Sequence, residues 1–271
     1  MVTKVAHLLS RSVRYLESGS GRPLVLLHAF PLSADQWFGQ LQRVPPGWRA
    51  VAPDLRGFRG GSVAYEDPGL DGLTIDDYAR DVLEFMTHVE ADRSVVLGLS
   101  MGGYVALALA RRAPRRIAGL ILADTRPGAD SPEGRAGRDA LVDVARREGV
   151  GAVARQLVPR LVGETTRRDQ PELLDVLTGA VQLNTVEAIV AASLAMKDRP
   201  DQTGWLPSIA VPTTIVCGEE DTLTPMAESE AMQRAIPGAR LVRIPGAGHL
   251  SNLEAPRAFN AAIEAALAVV P

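Results

Sequence analysis

A serine set between two glycines, where a buried strand gives way at once to a buried helix, constrains this chain more than any other feature. Within residues 93 to 114, the run Ser94-Val95-Val96-Leu97 is short, apolar and β-branched, as a strand covered on both faces of a parallel sheet is. From Met101 to Arg112 there is no proline and apolar residues occur around most of the cylinder, which predicts a buried helix that Pro114 ends. Between them Gly98-Leu99-Ser100-Met101-Gly102 fits the pattern G-x-S-x-G. A strand that reverses into a helix over one residue brings backbones too close for side chains at the two glycines. It also predicts a strained backbone at Ser100, with the hydroxyl above the sheet edge and the helix N-terminus behind it. The same five residues, taken alone, also describe an ordinary tight turn with a hydrogen-bonded serine.

The rest of the chain places itself around that segment. Residues 2 to 9 and 13 to 17, separated by Ser10-Arg11-Ser12, predict an antiparallel hairpin at a sheet edge. Leu24 to Leu27 predicts a second buried strand, ending in His28-Ala29-Phe30-Pro31 at the sheet edge where ligands of open α/β sheets bind. Ala50-Val51-Ala52 predicts a strand leading to Pro53-Asp54-Leu55-Arg56-Gly57 and a Gly-rich loop to about residue 72. Thr74 then has the features of a helix N-cap, with Asp76 and Asp77 in the first turn and Ile75, Tyr78, Val82, Met86 and Val89 at helical spacing. Ile117 to Ala123 predicts another buried strand, ending in Asp124-Thr125.

Alternation then fails. Residues 126–206 contain helical stretches near 135–149, 150–162, 171–182 and 185–197 with no convincing strand, so they predict an all-helical insertion lying over the strand ends as a lid. The α/β core is correspondingly residues 1–125 and 207–271. In the second part a strand at 213–217 precedes Gly218-Glu219-Glu220-Asp221, a helix near 226–235 and a strand at 240–244 precede Gly246-Ala247-Gly248-His249, and a helix follows near 256–269. One helix and one strand thus separate Asp221 from His249, so both leave the same edge of a parallel sheet. The expected fold class is α/β, a mostly parallel central sheet of about eight strands flanked by helices.

Composition excludes several functions. At 271 residues the chain buries an ample core, and a net charge of −3 without a basic patch gives no footprint for nucleic acid. The single cysteine, Cys217, allows no internal disulfide framework and fits a reducing compartment as a core residue. The N-terminus has no apolar run of signal-peptide length and no stretch approaches bilayer length, so the expectation is a cytoplasmic protein without a membrane partner. Of 29 basic residues only Lys4 and Lys197 are lysines. Arginine outnumbers acids within 135–168, which describes a charged, solvated lid face or, alternatively, a field that steers an anionic substrate. Asp54 and Arg56 have local turn and ion-pair duty as their simplest reading, and His7 and His88 fall on surface positions.

Ser100, Asp221 and His249 therefore lie on three loops at one sheet edge in the chain order Ser, Asp, His. That order, together with GLSMGG, GEEDTLTP and GHLSNLEAP, resembles the α/β-hydrolase fold in its serine-esterase branch, with small carboxylesterases, enol-lactonases and cofactor-free haloperoxidase or perhydrolase relatives. The resemblance implies Ser100 as nucleophile, His249 as general base, Asp221 as the orienting carboxylate, and backbone N–H groups of Phe30 and Met101 as an oxyanion hole. Asp124 is a rival for the acid, because some relatives carry the carboxylate after the strand that follows the elbow. A serine at position 100 argues against dehalogenase and epoxide-hydrolase chemistry, whose family members use aspartate there. The implied function is a serine hydrolase of carboxylic esters, a promiscuous carboxylesterase on short to medium acyl chains, with no cofactor or metal and a small-molecule ester or lactone as partner. Lactone or enol-lactone hydrolysis is the alternative, and a non-catalytic binding protein of the same fold is a third reading. Phe30, Met101, Leu223 and Leu250, which flank catalytic or oxyanion positions, and the large side chains of Trp37 and Trp205 are the expected lining of an apolar substrate pocket. Two departures stand out: Ala29 occupies a position commonly glycine, and the usual D-x-R-G-x-G-x-S is loosened to DLRGFRGGS. His28, with no role in this chemistry, is expected to anchor its loop.

Overall fold

Eight strands join in one sheet in the order β1-β2-β4-β3-β5-β6-β7-β8. The computed structural model describes residues 1–9, 11–60 and 69–271. The strands are β1 Val2–His7, β2 Ser12–Gly19, β3 Arg22–Leu27, β4 Trp48–Pro53, β5 Ser94–Leu99, β6 Ile117–Ala123, β7 Thr213–Gly218 and β8 Arg240–Ile244. β1 pairs antiparallel with β2 and β2 with β4, and every other pairing is parallel. The edge hairpin and the parallel remainder follow the sequence pattern, although Ser10 at the hairpin turn and residues 61–68 of the Gly-rich loop lie outside the described residues.

The central strands are apolar throughout because both faces are covered; β5, β6 and β7 are buried along their whole length. Their period-two alternation sorts the core into two layers. Val25, Leu27, Val96 and Leu122 join the layer under α2 (Ile75–His88) and α3 (Met101–Arg112). Leu24, Leu26, Leu97 and Ile121 join the other, with α1 (Phe38–Leu41) and α11 (Pro256–Leu267). α2 begins where expected: the Thr74 hydroxyl accepts the Asp77 N–H at 3.1 Å while the Asp77 carboxylate accepts the Thr74 N–H at 3.0 Å.

Between β6 and β7 run five helices: α4 Pro132–Glu148, α5 Val150–Leu161, α6 Glu164–Asp169, α7 Pro171–Gln182 and α8 Val186–Lys197. The short α6 was not apparent in the sequence, because six residues complete too few turns to show a helical period. α9 (Met226–Ala235) connects β7 to β8, and α10 (Ser251–Glu254) precedes α11. Among the described residues no single helix is long and apolar enough to cross a membrane.

Candidate active site

The strand-to-helix turn after β5 has the geometry its glycines demand. A Cβ at Gly98 would sit 2.2 Å from the Gly102 carbonyl oxygen, and one at Gly102 would sit 2.1 Å from that of Leu27, so neither position admits another residue unless backbone moves. Ser100 adopts φ 54° and ψ −115°, a conformation that costs a non-glycine residue about 1–3 kcal/mol. Its surroundings enforce this: the Ser100 N–H donates to Ala123 at the end of β6 at 2.9 Å, and its carbonyl accepts the Thr125 hydroxyl at 2.8 Å. Burial of ten of the twelve residues of α3 more than offsets the strain.

The three strand-end loops converge at this turn. His249 Nε2 lies 2.7 Å from Ser100 Oγ, and His249 Nδ1 lies 2.8 Å from Asp221 Oδ2. All three side chains are buried. Since Nδ1 faces a carboxylate it carries the proton, which leaves Nε2 free to accept from the serine hydroxyl. The remaining lone pairs of Asp221 are filled by the backbone N–H groups of Leu223 and Thr224 and by the Thr224 hydroxyl at 2.5 Å. Burial pushes the His249 pKa down, but the charge and hydrogen bond of Asp221 outweigh it and hold the imidazole above its ordinary 6.5. Asp221 is held below the carboxylate range in spite of its burial, by His249 and the Thr224 donors.

Asp124, the rival acid, is fully buried at φ 45° but makes no hydrogen bond to His249. It accepts instead from the Gly218 N–H at 2.8 Å and from the Ser251 hydroxyl. Burial first, and the charge of Asp221 second, push its carboxyl well above the usual range. Asp124, Asp221 and Cys217 come within 4.8 Å of one another, but hydrogen-bond donors occupy every carboxylate oxygen. Burial raises the thiol to about 12, so the trio offers a cation no ready ligand set.

A cavity of about 310 Å³ opens beside Ser100 and His249. Phe30 and Leu223 line it as expected. Trp37, Trp205 and Leu250 do not, and each has a different reason. Trp37 ends a 3-10 turn that aims the indole into the opposite core layer, 6.2 Å from the Phe259 ring. Trp205 lies in the 3-10 segment Thr203–Ser208, half-buried against the α2 and α3 layer, and Leu250 is wholly buried beneath the His249 loop. The Met101 side chain is likewise in the core. Nor is the cavity apolar: Arg126, Asp130, Glu133, Arg138 and Arg160 line it beside Leu141 and Leu157. These charges come from the loop after β6 and from α4 and α5, whose packing over the strand ends a linear sequence does not disclose.

Phe30 lines the cavity with Ser100 and Met101 follows Ser100 in the chain, and neither backbone N–H has an acceptor in the loops and turns among the described residues. Ala29 does not adopt positive φ, so the alanine at this position is unstrained. Its N–H donates to Gln36 Oε1 at 2.8 Å and its carbonyl faces His28 Nδ1 at 2.9 Å, while His28 Nε2 accepts the Leu55 N–H. His28 thus anchors the loop as a neutral ring, its pKa lowered by burial to about 4. Asp54 and Arg56 have the local duty expected, pairing with Arg14 and Asp81.

The alpha/beta hydrolase fold family model matches residues 22–256. This chain belongs to that family. A malate-bound thermophilic esterase from Thermogutta terrifontis is similar over 100% of this chain and 99% of its own, at 36% identity and a TM-score of 0.91. The enol-lactonase from Burkholderia xenovorans LB400 covers 98% of this chain and 100% of its own, at 28% identity and a TM-score of 0.87. A non-heme haloperoxidase of Rhodococcus erythropolis is 30% identical over 87% of this chain and 88% of its own length. The three kinds of relative named by the sequence motifs are therefore all found around this α/β hydrolase.

Two residues that hold the site were not legible in the sequence. Glu254 Oε2 accepts from Gly163, from the Thr166 hydroxyl and from Gly248, and its Oε1 accepts from Leu250. One buried carboxylate therefore joins the α5–α6 connection to the loop that carries His249. Asn184 does the same between α7 and the Phe30 loop, donating to the Pro31 carbonyl at 2.8 Å and accepting the Arg59 N–H. Asn184 belongs to no motif, and Glu254 sits in GHLSNLEAP without a role in the chemistry that stretch implies; in both cases the partners come from distant parts of the chain that only the fold brings together.

Proposed function

We propose that this chain is a serine hydrolase that cleaves carboxylic esters through an acyl-enzyme intermediate. The observation that carries the reading is the unbroken hydrogen-bonded line Asp221–His249–Ser100, ending on a strained serine that opens to a cavity. Ser100 Oγ attacks the ester carbonyl as His249 Nε2 takes its proton. The imidazolium that forms is stabilised by Asp221, and the tetrahedral oxyanion by the N–H groups of Phe30 and Met101. His249 then returns the proton to the departing alkoxide. Water repeats the sequence on the acyl-enzyme, with His249 again as base, and releases the acid.

Residues 126–206 act as the lid of this site in our reading, since α4, α5 and α8 contribute lining residues to the cavity. A cavity near the small end of the ligand-pocket range favours short to medium acyl groups. Lactone hydrolysis is the second reading, favoured by the similarity to the Burkholderia enol-lactonase, because the same acylation opens a ring as readily as it frees an alcohol. A panel of p-nitrophenyl esters from acetate upward, with lactones included, separates the two. The test of the mechanism is Ser100→Ala, which should lower kcat by about a millionfold, and mass spectrometry after a phosphonate inhibitor, which should find the adduct on the Ser100 peptide. A variant that keeps a tenth of the activity overturns the assignment.

A further inference from the structure

We propose that the cavity beside Ser100 takes a substrate bearing a free carboxylate, bound by the guanidinium groups of Arg126, Arg138 and Arg160. The proposal rests on the ester-hydrolase reading above and adds a substrate class to it.

The observation behind it is a surplus of cationic donors in the cavity wall. Asp130, whose side chain is 1% exposed, is met by three arginines: Arg126 at 2.8 Å, Arg138 at 3.2 Å and Arg199 at 2.8 Å. One carboxylate neutralises one of them. Arg199 is committed elsewhere as well, donating to the carbonyls of Met196 and Gly128 and lying 4.1 Å over the Tyr104 ring. Arg126 and Arg138 each give Asp130 a single nitrogen and line the cavity with side chains 25% and 22% exposed. Arg126 Nε is buried without an acceptor. Arg160, reaching the same cavity from an exposed position on α5, makes no side-chain hydrogen bond or ion pair among the described residues.

Anchoring α4 to the loop after β6 would need only the Asp130 contacts. It explains neither the idle nitrogens of Arg126 and Arg138 nor Arg160. Glu133 is the other acid in the lining and is exposed; with Arg199 set against Asp130, the wall keeps a net positive charge. A wall of this kind is wasteful for a neutral acyl chain, for which Leu141, Leu157 and Leu223 suffice. Guanidinium groups partly withdrawn from water with their planar forks unmatched, as at Arg126 and Arg138, suit a carboxylate, and the exposed Arg160 adds a third cation at the mouth.

The experiment measures binding in Ser100→Ala by calorimetry, so that no turnover intervenes. Monomethyl adipate against dimethyl adipate places the charge on the acyl side; butanoyl glycolate against its methyl ester places it on the alcohol side. In one of the two pairs the anion should bind about ten- to a hundredfold tighter than its neutral partner, the worth of a hydrogen bond to a charged group. Arg160→Gln and Arg138→Gln should each reduce that ratio about tenfold. Arg155→Gln, an exposed position on the same helix outside the cavity, should leave it unchanged. Equal binding of anion and neutral ester in both pairs overturns the proposal, as does an equal loss from Arg155→Gln, which would mean a diffuse field and no site. Hydrolysis of p-nitrophenyl acetate and phosphonate labelling of wild type report on the hydrolase reading separately: if those fail while the ratio stands, the chemistry is wrong and the carboxylate site survives.

Discussion

Asp221 and Asp124 end neighbouring strands at similar depth, and their partners alone separate their roles. Asp221 is ionised against His249, whereas Asp124 faces a backbone amide and a hydroxyl and is pressed toward its neutral form. Asp221→Asn should therefore cost orders of magnitude in kcat, because the amide can favour the wrong imidazole tautomer, while Asp124→Asn should cost little. Steady-state kinetics on both variants check this, and a reversed pattern would move the acid to β6. The pH profile follows from the same pair. His249 must be neutral to accept the Ser100 proton, and its pKa is raised above 6.5, so kcat/KM should fall with decreasing pH through an apparent pKa above that of free imidazole. Removing the Asp221 charge should bring that limb down. Stability runs the opposite way for this group: a raised folded pKa contributes fully below the unfolded value and is lost as pH rises through the folded one. A rate flat to about pH 5 would mean that another base is at work.

The element that matters most is the turn between β5 and α3, and its demands are steric. Gly102→Ala would drive a Cβ into the Leu27 carbonyl at 2.1 Å, against the backbone of Leu27 and His28 at the end of β3, so it should destabilise by about 3 kcal/mol or more. Gly98→Ala should behave alike. Gly179, in the exposed face of α7 with nothing within 4 Å of its would-be Cβ, predicts the opposite sign: alanine there should stabilise by about 0.5–1 kcal/mol. Urea unfolding of the three variants decides the matter, and an unharmed Gly102→Ala would show that the turn can relax where its geometry says it cannot.

At the scale of the molecule, five helices inserted between β6 and β7 are tied to the site by buried polar contacts. Glu254 is the strongest of these, one carboxylate satisfying four donors from two parts of the chain. Glu254→Gln puts an amide N–H₂ either against the Leu250 N–H, which also reaches the Leu161 carbonyl at 3.1 Å, or against Gly163, Thr166 and Gly248, and removes the charge from all four bonds. Each buried donor left unsatisfied costs about 1–3 kcal/mol. For a chain of this size that corresponds to a fall in Tm of about 2–5 °C, with a loss of kcat because the His249 loop shares the tie. Calorimetry and kinetics on the variant test the two halves; an unchanged Tm would mean that the insertion is held by its apolar contacts alone.

Local periodicity was enough to determine the sheet, its covering helices and the insertion, because two-residue and helical periods are written into neighbouring residues. It was enough, too, to bring Ser100, Asp221 and His249 to one edge, since a parallel sheet puts the carboxyl end of every strand on the same side whatever the loops do. Their hydrogen bonding, and the choice of Asp221 over Asp124, depend on distances of a few ångströms between loops and belong to the tertiary structure. The pocket lay furthest from the sequence. Adjacency to His249 suggested Leu250, and size and reach suggested Trp37 and Trp205, but neither adjacency nor size fixes the direction in which a side chain points. The arginines that face Ser100 across the cavity arrive from helices whose packing angle no single segment encodes.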